Sequence, residues 1–342
     1  MMYQFQCDYS EGAHPRILER MMQTNLEQTV GYGEDHYCAM ARSLVQKACG
    51  REDADVHFLV GGTQANMTVI SSILRPYQGV ICVRTGHINV HETGAIEHSG
   101  HKVLALEGKD GLLSAESVRE AVLEHINEDG PEHTVQPGMV YISFSTEVGT
   151  VYTLKQLEEL AAVCREYGLP LFIDGARMGY GLASEGCDVT LQDIARLADV
   201  FYIGGTKQGA LFGEAVVITN PDLKKDFRYS IKQNGGMLAK GRLLGIQFLT
   251  LFEDGLYFEL SRHAVALAMR IRDAFAAKGY DFLVDSPTNQ QFPILPDEVL
   301  KRLAADFQFS VWKKIDDRHT AVRFCTSWAT RPEAVDALLA AL

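Results

Sequence analysis

One stretch of the chain, residues 169–213, constrains the fold more than any other. It opens with an apolar run, residues 169–173, that ends on the acidic Asp174. It closes with a second apolar run, residues 200–203, followed by two glycines, a threonine and Lys207. Short apolar runs with a helix-length segment between them are typical of strand–helix–strand units in an open α/β sheet. Because ligands of such sheets bind beyond the carboxyl ends of the strands, the pattern predicts that Asp174 and Lys207 both face a ligand.

Composition limits the classes of protein to which the chain can belong. Its 342 residues are 46% hydrophobic and 22% charged, as in a globular protein with one large domain or two modest ones. The net charge of −12 argues against nucleic acid and anionic membranes as partners, because both need a basic face. The seven cysteines are scattered without a C-x-x-C pair, which favours reduced thiols in the cytoplasm over disulfides or a zinc site. The sequence shows no signal-peptide pattern and no apolar run of roughly 20 residues, so we expect no membrane span.

A glycine-rich turn, GGTQAN at residues 61–66, follows a predicted strand at residues 56–60 and precedes a predicted helix. It places Gly62 and Thr63 at the helix N-terminus, where free N–H groups and the helix dipole favour an anion such as phosphate. Glycine also occurs in such turns for backbone geometry alone. From these residues, phosphate binding and a purely structural turn both remain open.

Two histidines, His87 and His91, stand four positions apart with Glu92 beside them. On a helix this spacing would place both imidazoles on one face, as zinc sites do. The order differs from the H-E-x-x-H motif, and the sequence offers no evident third ligand. We therefore predict no metal site.

Two arginines are candidates for binding a carboxylate, because a planar guanidinium can pair with both carboxylate oxygens. Arg177 lies three residues after Asp174, although a surface salt bridge is the alternative for it. Arg323 lies within a predicted apolar strand, where a charge is unfavourable unless it is paired. An incoming carboxylate is one partner that would satisfy Arg323.

Four segments in the same order carry a resemblance to a known family. GGTQAN (61–66), GHINVHETGA (86–95), DGARMG (174–179) and GGTKQG (204–209) resemble the low-specificity threonine aldolase and β-eliminating lyase group of pyridoxal phosphate enzymes. The resemblance spans nearly the whole chain and implies fold type I, the aspartate aminotransferase fold. In this α/β fold, helices sandwich a mostly parallel, seven-stranded-type sheet, and a smaller α+β domain follows.

The same resemblance divides the chain into two domains. We expect residues 1–245 to form an N-terminal arm and the large cofactor-binding domain, and residues 246–342 to form the small C-terminal domain. Within the small domain, the sequence predicts strands at residues 282–286 and 292–296. Family members assemble as dimers or tetramers, so a cytoplasmic homodimer or homotetramer is expected, with sites shared between subunits.

The resemblance implies pyridoxal 5'-phosphate as the cofactor. Lys207 corresponds to the lysine that forms a Schiff base with its aldehyde, and Asp174 corresponds to the carboxylate that keeps its ring nitrogen protonated. His87 corresponds to the histidine that stacks on the ring. The implied cofactor-binding residues are Gly62, Thr63, His87, Asp174, Thr206 and Lys207.

Other residues are assigned to the substrate and to a neighbouring subunit. The resemblance places Arg177 and Arg323 at the substrate carboxylate, and it places Tyr32 near the active site of a neighbour, with a packed loop residue as the alternative. The segment GGM at residues 235–237 resembles one that approaches the cofactor phosphate, and a solvated basic face competes with that interpretation. Its basic candidates are Lys232, Lys240 and Arg242.

Glu147 is the clearest departure from the family pattern. Threonine aldolases usually carry a histidine in this segment, close to the substrate hydroxyl. Glu147 can act as a general base if burial raises its pKa toward neutrality; a solvated loop glutamate is the alternative. We therefore predict Lys207, His87 and Glu147 as the catalytic residues.

The implied function is reversible cleavage of a β-hydroxy-α-amino acid, such as threonine or allo-threonine, to glycine and an aldehyde. A β-eliminating lyase and an aminotransferase would need the same Lys207 and Asp174, so both remain alternatives. A protein that binds the cofactor without catalysis is the third alternative. In each case the partner is a small molecule, an amino acid for the enzymes.

Overall fold

The computed structural model describes residues 2–342. Its helices are α1 (Pro15–Gln23), α2 (His36–Cys49), α3 (Gly62–Ile73), α4 (His87–Val90), α5 (Ala95–His98), α6 (Ala115–Ile126), α7 (Leu154–Tyr167), α8 (Met178–Leu182), α9 (Leu191–Leu197), α10 (Phe227–Gln233), α11 (Arg242–Glu253), α12 (Leu256–Ala277), α13 (Asp297–Leu303) and α14 (Pro332–Ala341). Its strands are β1 (Tyr3–Gln4), β2 (Asp55–Leu59), β3 (Gln78–Val83), β4 (Lys102–Leu106), β5 (Gln136–Ser143), β6 (Leu171–Asp174), β7 (Val200–Gly204), β8 (Glu214–Ile218), β9 (Gln290–Gln291), β10 (Ile294–Pro296), β11 (Phe307–Gln308), β12 (Ser310–Lys314) and β13 (His319–Cys325).

The largest sheet contains seven strands in the order β2-β8-β7-β6-β5-β3-β4. The run from β7 to β4 is parallel throughout, whereas β8 is antiparallel to both of its neighbours. Helices cover both faces, and the apolar side chains form one core on each side of the sheet. The predicted α/β architecture with a mostly parallel seven-stranded sheet is confirmed.

The two apolar runs of the opening stretch are the adjacent strands β6 and β7. Both strands are buried along their whole length, which is why their sequences are continuously apolar rather than alternating. Phe172 pairs with Val200, and Ile173 pairs with Phe201. The carboxyl ends of the two strands therefore meet at one edge of the sheet, and Asp174 is the last residue of β6.

Local signals in the sequence set the ends of the helix that precedes β6. Thr153 caps the first turn of α7 through the N–H of Gln156, whose side chain accepts from the N–H of Thr153 in return. This reciprocal pair is the S/T-x-x-Q capping box. Gly168 ends the helix with a φ of 66°, a conformation that a residue without a Cβ adopts most easily.

The last part of the chain forms a smaller sheet in the order β10-β13-β12, with β9 also paired to β13. The predicted strand at residues 292–296 is confirmed in part as β10, but the one at residues 282–286 is wrong. That segment makes a single bridge, between Phe282 and Pro293, because Pro287 lacks an N–H and the hydroxyls of Ser286 and Thr288 bond to nearby groups instead. The smaller α+β unit is therefore present, while its boundary near residue 245 stays a prediction.

The first strand does not lie with the large sheet. β1 pairs in parallel with β11, and Phe5 is buried in the same apolar cluster as Phe307 and Phe324. None of the helices within residues 2–342 is both long and apolar enough to cross a membrane.

Candidate active site

A cavity of about 310 Å³ opens at the carboxyl ends of β5, β6 and β7. Its lining includes Gly62, Thr63, His87, Glu147, Asp174, Arg177, Thr206 and Lys207. An outer cavity of about 600 Å³ shares Tyr9, His87, Glu147, Arg177 and Lys207 with it, and adds His91, Trp312 and Arg323. The structure thus brings the predicted site residues of one chain together, with the exception of Tyr32.

Asp174 is held at the floor of this cavity by four donors. Oδ1 accepts from the hydroxyl of Tyr202 at 2.5 Å and from the N–H of Ala176 at 2.9 Å. Oδ2 accepts from the hydroxyl of Tyr141 at 2.5 Å and from Nδ2 of Asn66 at 3.1 Å. The three side-chain donors sit on β7, β5 and α3, and the N–H of Ala176 follows β6, so four parts of the chain fix the carboxylate in one orientation.

These contacts keep Asp174 ionised although it is buried. Burial by itself raises the pKa of the carboxyl group, but the charge of His87 and the hydrogen bonds from Tyr141 and Tyr202 outweigh burial, so the pKa lies below its ordinary value. The site therefore presents a fixed negative charge at neutral pH. A pyridinium N–H is the kind of group that such a charge stabilises.

Lys207 lies three residues beyond β7, in the loop that leads to β8. The hydroxyl of Tyr180 donates to the Lys207 carbonyl and anchors the loop from α8. Within residues 2–342, no carboxylate oxygen lies within 4.0 Å of Nζ of Lys207, so the amine forms no salt bridge. Burial and the nearby charge of Arg177 lower the pKa of Lys207, which increases the fraction of neutral, nucleophilic amine.

Thr206 is oriented by a buried glutamate that the sequence did not single out. Its hydroxyl donates to Oε1 of Glu214 at 2.8 Å, and the N–H of Gly205 donates to Oε2 at 3.3 Å. Burial raises the pKa of Glu214 to about 8. Glu214 therefore fixes the loop immediately before Lys207.

A hydrogen-bonded chain links the predicted stacking histidine to the floor of the cavity. Nδ1 of His87 lies 2.8 Å from Oε1 of Glu92, and Nδ2 of Asn66 donates to the same oxygen at 2.7 Å as well as to Asp174. Burial lowers the pKa of His87, but its hydrogen bond to the Glu92 carboxylate and the charge of Asp174 outweigh burial, so the pKa ends above its ordinary value. Glu92 thereby supports the orientation of the His87 ring. The rings of His87 and His91 lie 5.5 Å apart.

Glu147 lies inside the site and not in a solvated loop, because only 8% of its surface is exposed. Its Oε1 accepts from the hydroxyl of Ser143 at 2.6 Å and from the N–H of His87 at 3.0 Å. Its Oε2 is buried and has no hydrogen-bond partner among the residues described. Burial raises the pKa of Glu147 above its ordinary value, as a general base that works near neutral pH requires.

The two arginines that line the outer cavity are held by different partners. Arg177 forms a buried salt bridge with Asp8, at 2.7 Å from Nε and 2.9 Å from Nη2, so the surface salt bridge considered for it is wrong. Arg323 is held by the side chain of Gln290 and the backbone carbonyl of Gln6. Both guanidinium groups line the outer cavity together with Lys207.

Comparisons with known proteins agree with this geometry. Residues 4–295 match the family described as beta-eliminating lyase. The chain belongs to the beta-eliminating lyase family. It is 33% identical over 303 residues to the low specificity L-threonine aldolase of a Pseudomonas species (strain NCIMB 10558), covering 88% of this chain and 86% of that protein. It is 30% identical to the low specificity L-threonine aldolase of Pseudomonas aeruginosa, covering 97% and 94%.

Solved structures extend the likeness of the chain to three dimensions. It is 46% identical to a threonine aldolase of Leishmania major, with a TM-score of 0.96 over 99% of this chain and 98% of that one. An aspartate aminotransferase of Thermus thermophilus shares only the fold, at 15% identity and a TM-score of 0.72 over 99% and 90% of the two chains. The fold-type I architecture and the family resemblance predicted from the four segments are both confirmed.

The cavity of this lyase fits pyridoxal phosphate at three separate points. The N–H groups of Gly62, Thr63 and Gln64, in the first turn of α3, have no acceptor among residues 2–342, and the turn lines the cavity. Free N–H groups at a helix N-terminus are a site for a phosphate. Asp174 suits the ring nitrogen, and Lys207 carries an amine that is free of salt bridges.

Tyr32 does not reach this cavity within one chain. It is 48% exposed, has a φ of 60°, and borders a separate cavity of about 30 Å³ beside Arg228 and Met237. Nζ of Lys232 lies 4.9 Å above its ring. Arg242 is directed elsewhere, because its guanidinium donates to the backbone carbonyls of residues 25 and 27.

The sequence did not reveal several residues that shape the site of this lyase. Tyr141 and Tyr202 stand in the middle of apolar strands, where a buried hydroxyl needs a partner, and that was an available signal. Asn66 lies within the recognised GGTQAN segment, but nothing in the segment indicates its two acceptors. Asp8 carries no local signal, because its partner Arg177 is distant in the sequence.

Proposed function

We propose that this protein uses pyridoxal 5'-phosphate to cleave β-hydroxy-α-amino acids, such as threonine or allo-threonine, reversibly into glycine and an aldehyde. The observation that carries the proposal is one cavity that combines the free amine of Lys207, the ionised Asp174 and the unpartnered Oε2 of Glu147. The threonine aldolases among the relatives support the same reaction.

Three side chains and one helix N-terminus would hold the cofactor. Lys207 would attach to its aldehyde carbon, Asp174 would face its ring nitrogen and His87 would cover its ring, while the first turn of α3 would receive its phosphate. When bound, the cofactor supplies an electron sink for a bond that breaks at the α-carbon of the amino acid. All remaining tasks, namely binding, orientation and proton transfer, fall to side chains of the protein.

Orientation of the substrate is assigned to Arg177 and Arg323. Both line the outer cavity, and a pair of guanidinium groups on one carboxylate fixes how the amino acid is rotated. That rotation determines which bond at the α-carbon is aligned for cleavage. We therefore assign to both arginines the binding of the carboxylate of a small amino-acid substrate.

Proton transfer from the substrate hydroxyl is assigned to Glu147, with His87 beside it. The Oε2 oxygen of Glu147 is an acceptor without a donor among the residues described, and its carboxylate is oriented by Ser143 and by the backbone of His87. As Glu147 takes the proton of the β-hydroxyl, the oxygen would form the carbonyl of the departing aldehyde while the Cα–Cβ bond breaks, with the electron pair of that bond left at the α-carbon, where the bound cofactor would supply the electron sink. The group thus occupies the position in which the family usually carries a histidine.

Replacement of Glu147 by glutamine is expected to lower kcat/KM for threonine by roughly 10²–10³-fold, because the amide keeps the shape but cannot accept the proton. The base works only when it is unprotonated, so the wild-type rate falls as the pH falls through the raised pKa of Glu147. Rates measured across acidic and neutral pH should show this acid limb in the wild type and lack it in the variant.

Ser143→Ala provides a matched control for that profile. The Ser143 hydrogen bond lowers the pKa of Glu147, so its removal is expected to move the acid limb to higher pH while the activity on the alkaline side is retained. An unchanged acid limb in Glu147→Gln, or activity within about threefold of the wild type, would show that Glu147 is not the base.

The direct test of the function is incubation of the holoenzyme with threonine, followed by assays for acetaldehyde and glycine. Equal amounts of both products are expected. Pyruvate and ammonia from serine without any aldehyde from threonine would indicate the β-eliminating lyase, and amino transfer to an added keto acid would indicate the aminotransferase. Cofactor binding without turnover of any amino acid would leave the non-catalytic alternative.

We further propose that the protein is a homodimer or homotetramer in which Tyr32 completes the site of a neighbour. Like Tyr32, several large apolar side chains on α1, α2, α10 and the segment between α1 and α2 are exposed. These are Leu18, Met22, Leu26, Val30, Met40 and Tyr229. Large exposed apolar surface marks an interaction surface, so these side chains are the ones we assign to the interface.

A subunit-mixing experiment tests the sharing of sites. Tyr32→Ala and Lys207→Ala are each expected to be nearly inactive alone, and their mixture is expected to regain activity after exchange of subunits. Each mixed dimer then contains one site in which both residues are wild type. No recovery in hybrids whose assembly is verified by sedimentation would contradict a role for Tyr32 across the interface.

A further inference from the structure

Residues 3–14 precede α1, and we call this segment the N-terminal arm. The arm begins against the C-terminal part of the chain, where β1 pairs with β11 in a separate two-stranded sheet and Phe5 is fully buried. It ends against the loop of Lys207, where the N–H of His14 donates to the carbonyl of Gly209 at 2.8 Å. The arm therefore runs from the two-stranded β1-β11 sheet to the lysine loop, and its Tyr9 lines both cavities.

Asp8 on this arm occupies one edge of the Arg177 guanidinium. Its carboxylate has no exposed surface and accepts from Nε at 2.7 Å and from Nη2 at 2.9 Å. Nδ2 of Asn289 donates to the same carboxylate at 2.9 Å. The pairing leaves Nη1 of Arg177 without an acceptor in the part of the chain that the structure describes. The Nε and Nη2 edge of the guanidinium thus binds Asp8, and the edge with Nη1 remains free to bind a ligand in the cavity.

The second arginine contacts the same arm two residues earlier. Nη2 of Arg323 donates to the backbone carbonyl of Gln6 at 3.0 Å, and Nη1 donates to Gln290 at 3.1 Å. Its guanidinium also lies 5.4 Å from the ring of Trp312. A single short stretch of the arm, residues 6–8, therefore touches both guanidinium groups that face the outer cavity.

We propose that Asp8 is a positioning residue: it holds Arg177 so that the remaining edge of the guanidinium meets the carboxylate of the amino-acid substrate. The arm as a whole sets the separation of Arg177 and Arg323. This inference rests on the proposed function, because it presumes that an amino acid binds in the outer cavity.

The sign of the effect distinguishes positioning from simple charge balance. If Asp8 only offset the positive charge of Arg177, its neutralisation would strengthen the attraction for an incoming carboxylate. If Asp8 fixes the guanidinium, neutralisation releases a long flexible side chain that must be reordered by each ligand. A buried guanidinium without its partner also moves toward solvent to regain hydration. We therefore expect weaker carboxylate binding.

The test uses the holoenzyme loaded with pyridoxal phosphate and follows its absorbance during titration with glycine, and separately with methylamine, which has no carboxylate. In Asp8→Asn, the Kd for glycine is expected to rise at least about tenfold, while the Kd for methylamine stays within about twofold of the wild type. Glu11→Gln, a carboxylate-to-amide change on the same arm without an arginine contact, is expected to bind both amines like the wild type.

A double variant shows whether Asp8 acts through Arg177. On an Arg177→Gln background, Asp8→Asn should cause no further loss of glycine affinity, because the residue that it positions is already absent. Asn289→Ala is a milder variant for the case that Asp8→Asn does not fold. This variant should raise the Kd for glycine by roughly threefold and leave the Kd for methylamine unchanged, because Asn289 donates only one hydrogen bond to the Asp8 carboxylate of the Asp8–Arg177 pair.

The possible results separate the two proposals. A wild-type holoenzyme whose absorbance does not respond to glycine would contradict the proposed function itself. A wild type that responds, together with an Asp8→Asn variant that binds glycine equally or more tightly, would overturn the positioning role. An equal loss for glycine and methylamine would also overturn it, because it would show a general disturbance of the site.

Discussion

Replacement of Lys207 by alanine is expected to abolish threonine cleavage, with a fall in kcat of about 10⁴-fold or more. The amine is the group in the cavity that can hold the cofactor covalently, and burial together with Arg177 lowers its pKa toward the reactive neutral form. The visible absorbance of the holoenzyme should be lost in the same variant. Rates of acetaldehyde release and an absorbance spectrum of the purified, cofactor-treated protein measure the two effects.

Lys207→Arg distinguishes the chemistry of the amine from its charge. The guanidinium keeps the positive charge but stays protonated, so it cannot act as a neutral nucleophile. The arginine variant is therefore expected to be as inactive as the alanine variant. If it retains a substantial part of the wild-type rate, electrostatics alone would explain the site, and the covalent role of Lys207 would be wrong.

Replacement of Asp174 by asparagine is expected to lower kcat by roughly 10²–10³-fold, the second large effect. The neutral amide cannot stabilise a protonated ring nitrogen, so the electron-withdrawing power of the cofactor decreases. Two of the four donors around Asp174 would also face an amide NH₂ in place of an acceptor. Steady-state rates on threonine and the thermal unfolding midpoint measure the two consequences separately.

Asp199→Asn is the matched control for the strand that carries Asp174. Asp199 accepts from the N–H of Leu171 at the opposite end of β6, far from the cavity, so its change is expected to reduce stability without lowering kcat. A comparable loss of activity in both variants would assign the Asp174 effect to a disturbed sheet. A rate for Asp174→Asn close to that of the wild type would contradict its role toward the cofactor.

The parts of the site that could be predicted from the sequence are those that follow directly from strand ends. Asp174 ends one apolar run and Lys207 follows the next, and parallel strands bring their carboxyl ends to one edge of the sheet. The turn with Gly62 and Thr63 could be placed for the same reason, because a strand leads into it and a helix leaves it. Local patterns of this kind predict site residues correctly because each depends on only one strand and its neighbour.

The parts that could not be predicted depend on contacts between distant segments. Asp8 meets Arg177 only because the arm runs from the β1-β11 sheet past the cavity, which its Tyr9 lines. Glu92 and Asn66 are joined through side-chain geometry that neither segment encodes alone. Glu147 looked equally suited to a solvated loop, since its burial results from packing against the segment that carries His87.

The failed strand prediction at residues 282–286 has a comparable origin. The apolar run there resembles a strand, yet only the N–H of Leu283 bonds to the neighbouring chain segment, at the carbonyl of Phe292. The next residues turn away, and Nε2 of Gln291 donates to the carbonyls of Ser286 and Thr288 to close the turn. A short apolar run therefore predicts a strand reliably only where a neighbouring strand is present to pair with it.

The most direct measurement of the central claim is to locate the cofactor on the chain. Borohydride reduction of the wild-type protein with pyridoxal phosphate, followed by digestion and peptide mass spectrometry, fixes the cofactor to the lysine that binds it. We expect the added mass on the peptide that contains Lys207. A pyridoxyl group on a different lysine, or none after saturation with the cofactor, would contradict the assignment of this cavity as the active site.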